Sequence, residues 1–475
     1  MNLEGLFKSL DRFEGLSCDS KSVSGGYIFV AIKGTSFDGH DYIGDAIRRG
    51  AKLVVIQEGA LTPRDAEGVE FIVSNDTRQT LARLAAQFYG FPSKSLRVIG
   101  ITGTNGKTTV SYLLESILKA CGRSPGVIGT VNYRYKNKIF PAGNTTPGAI
   151  KLQSMLAQMH RAGCDCAILE VSSHALDQER AGEIEFASGI FTNLSQDHLD
   201  YHLDMENYFR AKEKLFTGIP AANDRFIITN NDDPYGRRIG ESAQAKVVTY
   251  GIDSEADFAA RNISFDNVHT SFQIISGKEK YKINTELIGR HNVYNLTAAF
   301  AWAIEEGLDP EKLRGAIERF RSVPGRLERI VNNRGISVFV DYAHTEDALR
   351  SAILTLKELS HKRLILVFGC GGQRDKGKRP KMGQVASQLA DQVMITDDNP
   401  RGEDPEEIIN QIKKGFREKN YSVIRDRREA IEKAILLAEA GDILLVAGKG
   451  HEDVQIIGKK RIPFDDRKII RECLK

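Results

Sequence analysis

The segment VIGITGTNGKTTVSYLLESILKA sets a glycine-rich loop between an apolar run and an amphipathic helix, the context in which such a loop binds a mononucleotide. Backbone N–H groups of Gly103, Thr104, Asn105, Gly106 and Lys107 can cradle phosphates at the helix start, where the backbone dipoles favour negative charge. Lys107 is long enough to reach the β- and γ-phosphates, and the hydroxyl of Thr108, beside Thr109, can meet Mg2+. Strict spacing asks for glycine where this chain has Ile101, so the loop is a shorter variant. A glycine-rich turn without a ligand is the alternative. Taken alone, the loop implies use of a nucleoside triphosphate but no particular reaction.

In CAILEVSSH an apolar run ends at Glu170, and SGIFTNLS leads to Asp197 and His198. Both should emerge at the C-terminal edge of a sheet, where α/β proteins bind ligands. Thr108, Glu170 and His198 are then a candidate Mg2+ shell, completed by phosphate oxygens and water, although imidazole is an unusual partner for so hard an ion. Singly, Glu170 and His198 read as structural polar residues; their joint placement beside the phosphate loop is what points to a metal. Lys212, in NYFRAKEKLF, reads from its segment as a solvated helix lysine. Further on, DQVMITDD runs into DNPRGEDPEEII, which puts Asp398, Asn399 and Arg401 in a loop between a strand end and a helix, a ligand-facing position.

The elements that must position these residues are legible from periodicity. Up to about residue 93, the strand-like runs YIFVAIKG and KLVVIQEG flank DGHDYIGDAIRRGA, a pattern for a small α/β unit closed by FPSKS. From Leu96, apolar runs alternate with amphipathic helices, implying parallel strands with crossover helices. Residues 257 to 288 look antiparallel, helices follow, and SVPGRLE carries a hinge signal in Pro324 and Gly325. Beyond it, ISVFVDYAH, RLILVFGCGG, DQVMITDD, SVIRD and DILLVAGKG alternate with helices as in a doubly wound domain. The expected fold is α/β in three domains: a small N-terminal α/β domain over residues 1–95, a central mostly parallel P-loop-type domain over 96–326, and a C-terminal Rossmann-like domain over 327–475.

Length agrees, since 475 residues at roughly 150 per domain give about three. With 41% hydrophobic and 27% charged residues the chain is of ordinary globular composition, which excludes disordered and low-complexity classes. Lys plus Arg (66) against Asp plus Glu (63) leaves +3, so there is no broad basic field for nucleic acid or an anionic membrane, and any anion site must be local. No stretch approaches the roughly 18 apolar residues of a membrane span, and the start shows no basic region followed by an apolar core; a cytoplasmic protein is expected. Six cysteines are too sparse for a disulfide scaffold, and Cys164 and Cys166 lack zinc-ligand spacing. Cys166 reads as a small apolar residue opening a strand.

The motifs GTNGKTT, EVSSHALDQER, TNLSQDHLDYH, YFRAKEKLF, RHNVYNLTAA, PGRLE and DYAH occur in an order that resembles the Mur ligases of peptidoglycan synthesis. DSKSVSGGYIFVAIKGTSFDGHDYI near the start, with GCGGQRDKGKRP, DNPRGEDP and GKGHED toward the end, narrows the resemblance to the MurE branch, and it covers essentially the whole chain. The resemblance implies an ATP- and Mg2+-dependent amide ligase that adds one amino acid to the D-glutamate side-chain carboxylate of UDP-N-acetylmuramoyl-L-alanyl-D-glutamate. ATP would phosphorylate that carboxylate, and an amine would attack the acyl phosphate. A carboxylate is a poor electrophile, and phosphorylation supplies its leaving group while Mg2+ and Lys107 offset charge on the phosphate oxygens.

Carried over residue by residue, the resemblance implies UDP-sugar contact at Ser20 and a hold on the muramoyl-dipeptide by Asn144, Thr145, Thr146, Ser172, Gln178 and Arg180. It implies nucleotide contacts at Asn292, Asn295, Arg326 and Asp341, and a carbamylated lysine at Lys212. DNPR, here Asp398, Asn399, Pro400 and Arg401, is the family's meso-diaminopimelate signature, with further contacts implied at Arg374, Gly448 and Glu452. Arg401 can bind a distal carboxylate that lysine lacks, and Glu452 the distal ammonium. A monomer is expected. The alternatives are the lysine-adding ligase, a folylpolyglutamate-type ligase, which leaves the DNPR loop unexplained, and a nucleotide-driven switch. The chain departs from the family at Glu346, where proline is common after DYAHT, a change bearing on local loop conformation.

Overall fold

A computed structural model describes residues 2–34, 37–61, 66, 68–266 and 268–475; Thr35 and Ser36 of the N-terminal motif lie outside them. The architecture is α/β with mostly parallel sheets. The chain forms two compact units, Met1–Phe258 with Ala298–Leu313, and Ala259–Thr297 with Arg314–Lys475.

The first unit holds two sheets. The smaller is parallel and ordered as in the chain: Gly15–Ser17, Tyr27–Val30, Ala51–Gln57 and Glu70–Ser74. Helix Thr77–Phe88 packs beside it, started by Asp76, whose carboxylate accepts from the N–H groups of Arg78 and Gln79. In the larger sheet the strands Lys246–Gly251, Phe226–Asn230, Phe186–Phe191, Arg97–Thr102, Cys166–Glu170 and Pro125–Ile128 are parallel neighbours in that order. Strand Arg97–Thr102 is therefore central, and its register, Ile101 beside Glu170 and Thr102 beside Phe191, brings three strand ends to one edge. Both faces of such a sheet are covered, so its strands are nearly continuous apolar runs. Helix Lys107–Ala120 buries Val110, Leu113, Leu114 and Ile117, the one-sided spacing of an amphipathic helix. Cys166 is buried at the start of its strand, and all six cysteines are free thiols.

In the second unit Phe258–Phe265, Thr270–Ser276 and Glu279–Thr285 pair antiparallel, as the sequence between residues 257 and 288 suggested. A six-stranded sheet follows in the order Glu328–Ile330, Ser337–Asp341, Ile443–Ala447, Leu364–Phe368, Gln392–Ile395 and Tyr421–Val423, parallel but for its first strand. The last parallel strand in the sequence is thus inserted between two earlier ones, and the ends Asp341 and Ala447 are in register. Beyond them lies the hairpin Val454–Ile457 with Lys460–Pro463. Glu346 takes the first position of helix Glu346–Lys357, with Thr345 as its cap. Proline is favoured at that position because its N–H is unneeded there, and an acidic residue suits it by charge, so the departure preserves the helix start. Among the described residues no helix is long and apolar enough to cross a membrane.

Candidate functional site

The phosphate loop lies where the central strand gives way to helix Lys107–Ala120. Gly103, at φ 147°, passes so close to Thr192 that a Cβ would sit 2.0 Å from its hydroxyl oxygen, and Gly106, at φ 89°, begins the helix. Only glycine meets both demands. The loop is pinned from the neighbouring strand end by Thr104 N–H to the Asn193 carbonyl (2.8 Å) and Asn105 N–H to the Asn193 side chain (3.0 Å). The Lys107 ammonium curls back onto the Gly103 and Thr104 carbonyls, both at 2.8 Å.

Beneath the loop, Glu170 is almost fully buried and receives four hydrogen bonds: from the hydroxyls of Thr108 (2.9 Å), Ser111 (3.2 Å) and Thr130 (2.8 Å), and from Thr130 N–H (3.2 Å). Gly129 admits it, since a Cβ there would lie 2.2 Å from Oε1. Carboxylate and hydroxyl oxygens are the hard donors Mg2+ takes, and one carboxylate with phosphate oxygens and water is a usual set, so these residues fit the ion. Among the described residues no group of three or more His, Cys, Asp or Glu is arranged to hold a metal without such help. His198 stands at φ 54°, before a short helix, with its ring 4.8 Å from that of His174. Burial, then the neighbouring histidines, lowers the His174 pKa to about 4, and burial also lowers that of His198.

Lys212 corrects the reading of its segment. Its side chain is buried, donates to the Gly103 carbonyl at 2.9 Å, and has its nitrogen 4.6 Å from the centre of the Tyr208 ring. Burial, reinforced by Lys107, holds its pKa well below the ordinary lysine value, which favours the neutral, nucleophilic amine. The helix Met205–Thr217 turns this face inward along with Tyr208, Phe209, Leu215 and Phe216. Lys212 and Tyr208 are four residues apart and share a face. The Tyr208 hydroxyl meets that of Thr104 at 3.3 Å.

Thr145, Thr146, Ser172, Gln178 and Arg180 gather beside Glu170. Thr145 meets the Thr130 hydroxyl at 3.0 Å, and Thr146 donates to the Glu170 carbonyl at 2.8 Å and accepts from Ser172 N–H at 3.0 Å. Arg180 donates to the Thr146 carbonyl (3.2 Å) and to the Gln178 side chain (2.6 Å); the Asn144 carbonyl accepts from Tyr133. Gln178 and Arg180 open onto a cavity of about 430 Å³ that Cys18, Ile32, Arg78 and Lys151 also line. Ser20 instead commits its hydroxyl to Asp45 at 2.9 Å.

The second unit gathers another set. Asp398, Asn399, Pro400 and Arg401 form a turn in which Arg401, at φ 53°, donates to the carbonyls of Gly372 (2.8 Å) and Asn399 (3.4 Å). Asn399 donates to Glu452 at 2.8 Å, and Gly448, at φ 113°, lets the chain pass where a Cβ would lie 2.8 Å from an Asp398 oxygen. Asp341 accepts from Leu327 and Ala343 N–H groups, both at 2.7 Å, while burial raises its pKa against the opposing field of Arg326. The Arg326 guanidinium lies 5.0 Å from the centre of the Tyr342 ring. Asn292 and Asn295 are buried neighbours joined at 3.1 Å. Arg374 is exposed, bonded to the Gln373 carbonyl at 3.1 Å. Ser111, Thr130 and Tyr208 were not singled out from the sequence. Ser111 and Tyr208 had a usable signal, three and four residues from Thr108 and Lys212 on helices; Thr130 had none.

Three Mur ligase domains match the chain in order: the Mur ligase family catalytic domain over residues 12–89, the Mur ligase middle domain over 101–303, and the Mur ligase glutamate ligase domain over 325–450. A Geobacter metallireducens protein named UDP-N-acetylmuramoyl-L-alanyl-D-glutamate--2,6-diaminopimelate ligase is 44% identical, over 96% of this chain and 93% of that protein. One of the same name from Aquifex aeolicus is 43% identical, over 98% and 94%. A solved structure of a ligase with that name superposes with a TM-score of 0.69 at 34% identity, covering 97% of this chain and 94% of its own. The structure of MurF from Thermotoga maritima with ADP, 19% identical with a TM-score of 0.62 over 98% of each chain, shares the fold. With this ordered domain set and this identity along nearly its whole length, the chain belongs to the Mur ligase family.

Proposed function

We propose that the protein is the ATP-dependent ligase that joins meso-diaminopimelate to the D-glutamate side-chain carboxylate of UDP-N-acetylmuramoyl-L-alanyl-D-glutamate, through an acyl phosphate. The observation that carries the choice of amino acid is the Asp398–Arg401 turn, tied through Asn399 to Glu452. A guanidinium and a carboxylate on one braced surface suit a side chain that ends in both a carboxylate and an ammonium. L-Lysine offers only the ammonium and would leave Arg401 without an anion.

The remaining roles are those the phosphate loop and the Mur ligase resemblance imply. The N–H groups of residues 103–107 and the Lys107 ammonium would bind ATP phosphates; Asn292, Asn295, Arg326 and Asp341 are the further nucleotide contacts that the resemblance implies. Thr108, Glu170 and His198 would hold Mg2+, which supplies charge neutralisation at the phosphate oxygens. Lys212, a buried amine whose pKa is lowered chiefly by burial, is suited to carbamylation by CO2, which would turn it into an anionic carbamate. Arg180, Gln178 and the threonines would orient the glutamyl carboxylate, and the cavity of about 430 Å³ beside them would take the UDP-sugar; the contact at Ser20 that the resemblance implies would use an oxygen lone pair, since its proton is held by Asp45. These substrates and the six free thiols suit a cytoplasmic setting, and the absence of a broad basic field gives no support to a nucleic-acid partner.

The test is to incubate the purified protein with ATP, the UDP-dipeptide and one amino acid at a time. Diaminopimelate should be incorporated, with phosphate release requiring both the dipeptide and the amine. Faster incorporation of L-lysine would overturn the choice of substrate, and ATP hydrolysis indifferent to both acceptors would overturn the ligase.

A further inference from the structure

Lys449 is fully buried, yet its ammonium is held on three sides: by Glu452 Oε2 at 2.9 Å, by Asn399 Oδ1 at 3.1 Å and by the Val454 carbonyl at 2.6 Å. A lysine ammonium has three donors and no acceptor, so this set satisfies it completely. Each acceptor belongs to a different piece of the second unit. Asn399 lies in the turn after strand Gln392–Ile395, Glu452 in the turn after strand Ile443–Ala447, and Val454 opens the hairpin beyond. Asn399 Nδ2 also donates to Glu452 Oε2 at 2.8 Å, and Asn399 Oδ1 also accepts from Ile456 N–H at 2.9 Å. One carboxylate oxygen of Glu452 is thereby doubly engaged.

The surroundings keep this arrangement from relaxing. Arg427 and Asp466, both buried, pair at 2.7 Å, and Arg427 donates to the Ala447 carbonyl at 3.0 Å, which fixes the end of the strand that leads to Lys449. Gln455 donates to the Asp398 carbonyl at 2.8 Å, and Arg401 N–H to the Ile456 carbonyl at 3.0 Å. A buried lysine so placed is a costly way to fill space, because an apolar residue of its volume would need no partners. Its distinguishing effect is directional: with Asn399 it turns Oε2 of Glu452 inward, while among the described residues no hydrogen bond engages Oε1 of that partly exposed carboxylate.

We propose that Lys449 is the positioning residue for amino-acid recognition, acting through Glu452 and Asn399 without touching the substrate. The inference rests on the proposed function, since it assigns Glu452 to the ammonium end of the incoming amino acid. Lys449→Met should raise the KM for diaminopimelate about 10- to 100-fold, the effect of losing a charge-assisted hydrogen bond that orients a ligand contact. The KM values for ATP and the UDP-dipeptide should stay within about twofold, because the proposed contacts for both lie elsewhere.

The deciding measurement is a double-mutant cycle. If Lys449 acts through Glu452, then Lys449→Met added to Glu452→Gln raises the KM for diaminopimelate little beyond the single Glu452→Gln change. A residue with only a structural role would give losses that multiply, or KM values for all three substrates that rise together, and either result overturns the inference. Should Lys449→Met fail to fold by circular dichroism, Lys449→Gln takes its place with the same expected pattern, since its shorter, uncharged amide has too few donors for all three acceptors. Failure of the wild-type protein to incorporate diaminopimelate would overturn both readings, whereas multiplying losses in a protein that incorporates it overturn this one alone.

Discussion

Lys212 donates to the carbonyl of Gly103 across 2.9 Å, so a buried amine from the helix Met205–Thr217 supports the first glycine of the phosphate loop. Its depressed pKa has burial as the main cause and Lys107 as the second. Lys212→Ala should abolish ligation while the protein remains folded, because it removes both the loop support and the amine proposed for carbamylation. Ligation at the wild-type rate, measured by product formation, would remove Lys212 from the site.

Gly103→Ala should fold poorly and lose nucleotide binding. At φ 147°, and with Thr192 Oγ1 only 2.0 Å from where a Cβ would stand, the loop must shift rather than absorb the methyl. A cost of about 1–3 kcal/mol in stability is expected, read as a lowered denaturation midpoint and weakened ADP binding by calorimetry.

Arg180 lines the cavity and bonds the Thr146 carbonyl at 3.2 Å. Arg180→Ala should raise the KM for the UDP-dipeptide about tenfold or more, the cost of one charged hydrogen bond, with the KM for ATP nearly unchanged. Equal changes in both would indicate general disruption of the fold.

Arg401→Ala should weaken discrimination between diaminopimelate and L-lysine by about 10- to 100-fold, since the fork proposed to read the distal carboxylate is lost. The comparison is of kcat/KM for the two amino acids, and unchanged discrimination would remove Arg401 from recognition.

His451 has its pKa lowered to about 4, first by burial and then by Arg326 and Arg467, and its Nδ1 is buried without a hydrogen-bond partner. Between pH 6.5 and about 4 the unfolded chain binds a proton at this residue and the folded chain does not, so its contribution to stability falls as the pH falls through that window. The thermal midpoint of the wild type should therefore drop more over this range than that of His451→Asn, by about 2–4 °C. Parallel curves would show that His451 is not protonated differently in the two states.

The outline of the fold was legible because each element writes its period locally. Alternating apolar runs and amphipathic helices are a property of neighbouring residues, as in strand Arg97–Thr102 followed by helix Lys107–Ala120. Residues 257 to 288 likewise read as antiparallel and form Phe258–Phe265, Thr270–Ser276 and Glu279–Thr285. Lys212 was not legible from its own segment, because a lysine among Arg210, Glu213 and Lys214 looks solvated until the helix is docked. Only its motif drew attention to it.

By itself the sequence determined the types of chemistry and their order along the chain: a loop of Gly103 to Lys107 for phosphate, a carboxylate at the end of a strand in Glu170, and a guanidinium after a strand in Arg401. Tertiary structure alone decided which atoms remain free to act. Glu170 is oriented by Thr108, Ser111 and Thr130, the last 40 residues away in the chain. Glu452 is turned by Lys449 from its own turn and by Asn399 from another, 53 residues distant. The physical reason is that hydrogen bonds and burial depend on distance in space, and strand order, which sets that distance, is chosen by the packing of the whole sheet and not by any one segment.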